Sequence, residues 1–296
     1  MRKIPTLFFV LLCLFMVCGA QASGQTEIPF KFEKGLIIVD AKIKGDTPVK
    51  VVVATGAQYS IIDSSQMEKH KLQAAYAPDD VVRGRNDSVY SYVPVSRVSM
   101  QGSNTKDLQM RLGSMARVSA AAGTDVFGAL GADFFEGQII QLDFQKSVMN
   151  FLSKSPAKDA KDAAGNALVV LQMDEKESNP FKRTHVVPNV SGAKINGKEF
   201  KLLLDTGRVT TIAISAASAK KLGLTAPEEN EQPRAETVSI EVAGHQIPDV
   251  PTTVFPKGKD GERTLGGYAA VAGTLVLKNF LLTLDYKNRI ATMERQ

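Results

Sequence analysis

One pattern of residues occurs twice along this 296-residue chain, and a tandem repeat confines the fold to two similar units packed against each other. The first copy reads Lys50-Val51-Val52-Val53-Ala54-Thr55-Gly56-Ala57, followed by Tyr59-Ser60-Ile61-Ile62-Asp63-Ser64. The second reads Lys201-Leu202-Leu203-Leu204-Asp205-Thr206-Gly207-Arg208, followed by Thr210-Thr211-Ile212-Ala213-Ile214-Ser215. A hairpin signal precedes each copy, Ile43-Lys44-Gly45 in one and Ile195-Asn196-Gly197 in the other. A matched pair closes each copy: Ala129-Leu130-Gly131 then Leu142-Asp143-Phe144, and Val271-Ala272-Gly273 then Leu284-Asp285-Tyr286. The glycine-to-aspartate spacing is 12 residues both times (143 − 131 and 285 − 273), so the two copies align here without a gap.

Between these anchors the sequence reads mainly as strand. Leu36 to Val39 and Val49 to Val53 are short apolar runs, Val93 to Met100 is valine-rich, and Val238 to Val242 alternates strictly. Short helices are expected after each Thr-Gly loop, over Ser64–Leu72 and Ser215–Leu222, each opened by a serine cap; Gly223 stops the second. Ser153 to Ala167 holds Lys, Asp, Ala and Gly with no large apolar side chain after Leu152, and reads as a connector. The expected fold is all-β, with two barrel-like units over 23–152 and 168–296 joined by 153–167.

Residues 1–22 are set aside as a leader. Arg2 and Lys3 precede an apolar run from Leu7 to Val17, and Ala20-Gln21-Ala22 supplies a cleavage pattern. That run is shorter than the roughly 20 residues a spanning helix needs, so no stable membrane anchor is expected once the leader is cleaved. Cys13 and Cys18 lie within it, leaving a mature chain with neither thiol nor disulfide. The expectation is export, to the periplasm or the medium. Of 36 basic and 31 acidic residues, the leader takes two basic ones, leaving a scattered +3 that does not suggest nucleic acid or a lipid surface as partner.

An apolar strand running into Asp-Thr-Gly places a carboxylate on a rigid base with its head free, and the glycine admits a close backbone approach. Two such loops face to face bring two carboxyl groups near enough to share one proton, and the pair can activate a water against a peptide carbonyl. The repeat resembles the aspartic peptidases of the pepsin and retropepsin group, in which each lobe contributes one Asp-Thr-Gly or Asp-Ser-Gly loop. Phe127-Gly128-Ala129-Leu130-Gly131-Ala132-Asp133-Phe134 is similar to the closing segment of bacterial retropepsin-like proteins. The resemblance spans Leu36 to Asp285. It implies two pepsin/retropepsin-like β-barrel lobes and a cleft for an extended peptide. It also implies that Thr55 and Thr206, beside Gly56 and Gly207, clasp each other's loops.

The chain departs from that pattern at Ala54, which stands where the first carboxylate is expected and can neither share a proton nor polarise water. Asp205 is then the catalytic candidate without its partner. Arg208 follows the second glycine, and pointing inward it would favour the ionised carboxylate. Hydrolysis is expected to be impaired or absent. A peptide- or protein-binding module is the alternative, and an active endopeptidase is another if Ala54 is an engineered change. A covering hairpin is sought over Arg83–Tyr92, with Tyr90 and Tyr92 as cleft candidates, against an ordinary surface hairpin. Asp143 and Asp285 read as turn residues, and Asp133, with Leu275 opposite, is not taken as catalytic. His70, His185 and His245 show no ligand spacing, so neither metal nor cofactor is expected.

Overall fold

The computed structural model describes residues 27–75, 91–155, 161, 168–173, 185–258 and 265–296, and every structural statement below concerns these. The leader with its two cysteines, Tyr90, nearly all of the candidate hairpin and most of the connector lie outside the described residues.

Three sheets carry the fold, which is mostly β as expected. Seven strands form the first: β2 (Lys31–Glu33), β3 (Leu36–Ile43), β4 (Thr47–Val53), β5 (Ile61–Asp63), β6 (Tyr92–Val98), β7 (Lys106–Gly113) and β8 (Gly128–Leu130). Six strands close into a barrel: β12 (Asn189–Ile195), β13 (Lys198–Asp205), β14 (Ile212–Ile214), β15 (Arg234–Val242), β16 (His245–Val254) and β17 (Ala270–Gly273). The third sheet takes strands from both halves, in the order β1 (Glu27–Pro29), β10 (Val148–Phe151), β9 (Ile139–Asp143), β18 (Phe280–Asp285), β19 (Ile290–Arg295) and β11 (Val170–Gln172).

The repeat appears as the same local topology in each half. In the first, β8 lies between β4, which it parallels, and β5, which it opposes. In the second, β17 lies between β13 and β14 with the same directions. The closing triplets are therefore the strands on which the Thr-Gly loops rest, with Val53 opposite Leu130 and Leu204 opposite Ala272. Asn196 and Gly197 turn at φ 47° and 75°, the positive pair that a two-residue hairpin between β12 and β13 needs.

The shared sheet has its own symmetry. Each β18 residue is numbered 142 above its repeat mate in β9 (285 − 143), and Leu281 pairs with Asp143 while Asp285 pairs with Ile139. The mates Gln141 and Thr283 therefore face each other, and the Gln141 Nε2 amide donates to Thr283 Oγ1 at 3.1 Å. A pseudo-two-fold axis passes between them.

Elements extend past the apolar runs where alternation continues. β3 runs on to Ile43 because Ala41 and Ile43 turn inward between exposed Asp40 and Lys42. The first helix is shorter than expected: α1 is Gln66–Lys69, and its Ser65 makes no side-chain cap bond. The helix after the second loop meets its expectation, since Ser215 Oγ accepts from Ser218 N and Gly223 ends it at φ 78°. In chain order the remaining helices are α2 (Ala116–Ala122), α3 (Ala132–Phe135), α4 (Ala216–Leu222, just described) and α5 (Thr274–Leu277).

Candidate functional site

The two loops meet where the halves join. Thr55 and Thr206 are fully buried. Thr55 N donates to Thr206 Oγ1 at 3.2 Å, and Thr206 N donates to Thr55 Oγ1 at 3.0 Å. Each hydroxyl then donates across the junction, Thr55 Oγ1 to Leu204 O and Thr206 Oγ1 to Val53 O, both at 2.7 Å. Both donors are repeat mates, so the contact is the same seen from either half.

Asp205 ends β13 beside this junction. Its Oδ1 accepts from Gly207 N of its own loop at 2.8 Å and from Gly56 N of the other loop at 3.2 Å. Both glycines are needed for that approach. A Cβ on Gly56 would lie 2.5 Å from Asp205 Cβ and Cγ, and one on Gly207 would lie 2.8 Å from Ala54 Cβ. Ala54 thus stands at the mirrored position, its methyl buried against the second loop where a carboxylate would complete the symmetry.

Burial raises the Asp205 pKa above the ordinary carboxylate range. The Gly207 amide, the Arg208 charge and the Gly56 amide act in the opposite direction without cancelling it. Arg208 does favour the ionised form, as its position in the sequence suggests, but desolvation is the larger effect.

Two phenols that the sequence reading did not single out lie within electrostatic reach of Asp205. Tyr286 is buried, stacks on Phe135 with ring centroids 5.8 Å apart, and directs its hydroxyl to Thr55 O at 3.5 Å. Burial first and the Asp205 charge second push its pKa up. Tyr268 precedes β17; burial raises its pKa to about 12, with the Gln58 side chain opposing and Asp205 reinforcing the shift. Both are neutral phenols at ordinary pH. The available signal was the repeat itself, because Tyr286 stands where the first copy has Phe144 and Tyr268 where it has Val126.

The halves also differ beneath the loops. Asp133 is buried in α3 and accepts from Ser60 N at 2.9 Å, from Ser60 Oγ at 2.7 Å and from Phe134 N at 2.9 Å. Ser60 Oγ accepts from Gly131 N at 3.0 Å, so Asp133 supports the Ala54 loop from below rather than facing its opening. In the second half Leu275 replaces Asp133, and Thr274 Oγ1 holds the loop by donating to Thr206 O at 3.0 Å and Arg208 O at 3.1 Å.

Other residues fall elsewhere. Tyr92 is buried at the start of β6, opposite Arg111. Asp143 and Asp285 cap turns: Asp143 accepts from Lys146 N at 3.0 Å, and Asp285 accepts from Lys287 N at 3.0 Å and Asn288 N at 2.8 Å. Among the described residues, no group of three or more His, Cys, Asp or Glu side chains is placed to hold a metal ion. None of the described helices is long and apolar enough to cross a membrane.

Two loops clasped through threonines, each resting on an apolar-apolar-glycine strand, with a carboxylate held by amides from both, form the candidate site. The family model described as Aspartyl protease matches residues 191–268, from β12 through the Asp205 loop to Tyr268. This supports an aspartic-protease-like domain in the C-terminal half. No curated protein matches the chain.

Proposed function

We propose that the chain is an exported aspartic-peptidase relative whose cleft holds extended polypeptide and hydrolyses it weakly or not at all. The observation that carries this reading is the pairing of Ala54 with Asp205 across the threonine clasp. The supporting parts of a two-carboxylate site are present on both sides, and the acid itself stands on one side only. Asp205 alone can act as acid or base toward a water, but it has no second carboxylate with which to share the proton. Binding of extended peptide by strand addition does not need that proton. The leader, Arg2 to Ala22, supports export to the periplasm or the medium.

The test is an acid-pH digestion of unstructured polypeptide by the chain as it stands, by Ala54→Asp and by Asp205→Ala. Weak cleavage or none is expected from the unaltered chain, none from Asp205→Ala, and much faster cleavage from Ala54→Asp. Cleavage by the unaltered chain that disappears in Asp205→Ala would show a working single-carboxylate enzyme. Inactivity of all three, together with binding of the polypeptide, would leave a binding module whose cleft has drifted beyond the missing acid.

A further inference from the structure

The N-terminal half has two apolar clusters rather than one. Ile37, Val39, Val51, Val53 and Leu130 belong to the main core. Their strand neighbours Leu36, Ile38, Val52 and Ala129 belong to a separate cluster, with Ala54, Met115, Ala122 and Val126. Alternation explains the division: Val52 and Ala54 lie two residues apart and share a face, and Ala129 pairs with Val52 in register. Ala54 is the residue that meets the Gly207 loop beside Asp205, so this second face is the wall leading away from the candidate site. It is covered rather than open, with Val52 2% and Ala129 4% exposed.

The cover is α2 and its flanks. Met115 and Ala122 pack into the cluster directly, and Val118 and Ala121 pack partly against it. The helix sequence is Ala-Arg-Val-Ser-Ala-Ala-Ala, so most of its side chains are methyl groups that contribute little contact area each. It ends at Gly123, at φ 62°, and the chain behind it is tied by Val126 N donating to Ser119 Oγ at 3.2 Å. A short element with few large buried side chains belongs to the readily opened part of a structure.

We infer that α2 with Met115 is an internal occupant of the apolar wall beside Ala54, and that it must move aside before an apolar side chain of a bound polypeptide can enter there. This rests on the reading of the cleft as a polypeptide site, and it adds a closed state that limits both affinity and the side chains accepted. Apparent affinity falls with the fraction of molecules that are open, so loosening the cover tightens binding without any new contact.

Two measurements on the full chain with Cys13→Ser and Cys18→Ser test this separately. In the first, Ala129→Cys places a thiol on the covered wall, and its reaction with an aromatic disulfide reagent is timed with and without Gly123→Ala. Alanine is strained at that positive φ, while nothing lies within 4 Å of the added methyl, so the change loosens the helix end and leaves the wall intact. The expected result is a rate increase of about fivefold. An unchanged rate, with the circular dichroism spectrum retained, overturns the inference whether or not polypeptide binds. In the second, fluorescein-labelled oxidised insulin B chain is titrated into the Cys-free protein, Gly123→Ala and Met115→Ser. Binding about fivefold to tenfold tighter in both variants is expected. Equal or weaker binding in both makes α2 a fixed wall and also overturns the inference. A faster thiol reaction with no B-chain binding by any variant keeps the mobile cover and removes the proposed polypeptide-binding function instead.

Discussion

Thr55 and Thr206 hold each other by exchange: each backbone amide donates to the other's hydroxyl, and each hydroxyl donates to the strand leading into the other's loop. The four bonds are buried, so water cannot replace any that is lost. Thr206→Val keeps the shape and removes one hydroxyl, leaving Thr55 N and Val53 O without their partner. Two buried groups stripped of a bond cost about 2–4 kcal/mol. Thr206→Ser retains the oxygen and should lose far less. Urea denaturation of the two variants measures the difference, and equal losses would mean that the hydroxyl is not the part that matters.

The Asp205 carboxyl is placed by what its glycine neighbours lack. A methyl on Gly56 would fall 2.5 Å from Asp205 Cγ and force the carboxyl or the loop to shift. The expected cost is about 1–3 kcal/mol, typical of an overpacked site. Because Gly56 belongs to the other half, the same change should loosen the junction. Gly56→Ala in the Ala54→Asp background should therefore remove the restored hydrolysis even where the protein remains folded, as a paired activity and circular dichroism measurement would show.

Acid should stabilise this protein relative to neutral pH through two groups. Burial raises the folded-state pKa of both Asp205 and Asp133, so each binds its proton more tightly in the folded chain than in the unfolded one. The associated stability is fully present below the unfolded value, about 3.9, and is lost as pH rises through the raised folded value. Asp125 and Asp143 are shifted the other way, so their stability is present above the ordinary value and is lost as pH falls below it. The urea midpoint should decline as pH is raised from about 4 through the range in which the raised pair gives up its protons. Asp205→Asn, which keeps an oxygen for the two glycine amides, should flatten part of that decline and raise the midpoint at neutral pH. A midpoint that rises over the same window would contradict the burial argument.

The parts of the fold that repeat were legible in the sequence, because a repeat reports on two sites at once. Val53 and Leu204, or Gly131 and Gly273, needed only alignment to be placed under their loops. The parts that break the symmetry were not. Asp133 meets Ser60 across 73 residues, and no local pattern links them. The Arg208 charge could be read from its position, but its weight against burial depends on how enclosed Asp205 is, which only packing determines. The α2 segment carries neither a strong amphipathic pattern nor large apolar residues, so a helix of methyl groups lying on a cleft wall left little to detect. β3 outruns its apolar run, Leu36 to Val39, because the strand continues through the alternation at Asp40 and Lys42.

Asp133 provides the sharpest test of how the altered loop is supported. Its carboxyl accepts from Ser60 N, Ser60 Oγ and Phe134 N, and Ser60 Oγ in turn accepts from Gly131 N, so one side chain ties the Ala54 loop to its supporting strand. The second half manages without it, because Thr274 Oγ1 reaches the loop carbonyls of Thr206 and Arg208 directly. Asp133→Ala strands three buried donors and should cost about 3–5 kcal/mol, enough to unfold a marginal domain. Asp133→Asn keeps an acceptor oxygen for the same donors and should cost about 1 kcal/mol or less. Leu275→Ala, at the matching but partly exposed position of the second half, should cost about 1 kcal/mol. Thermal and urea denaturation of the three variants orders them. If Asp133→Ala proves no worse than Leu275→Ala, the Asp133 bonds add nothing to the stability of the first half.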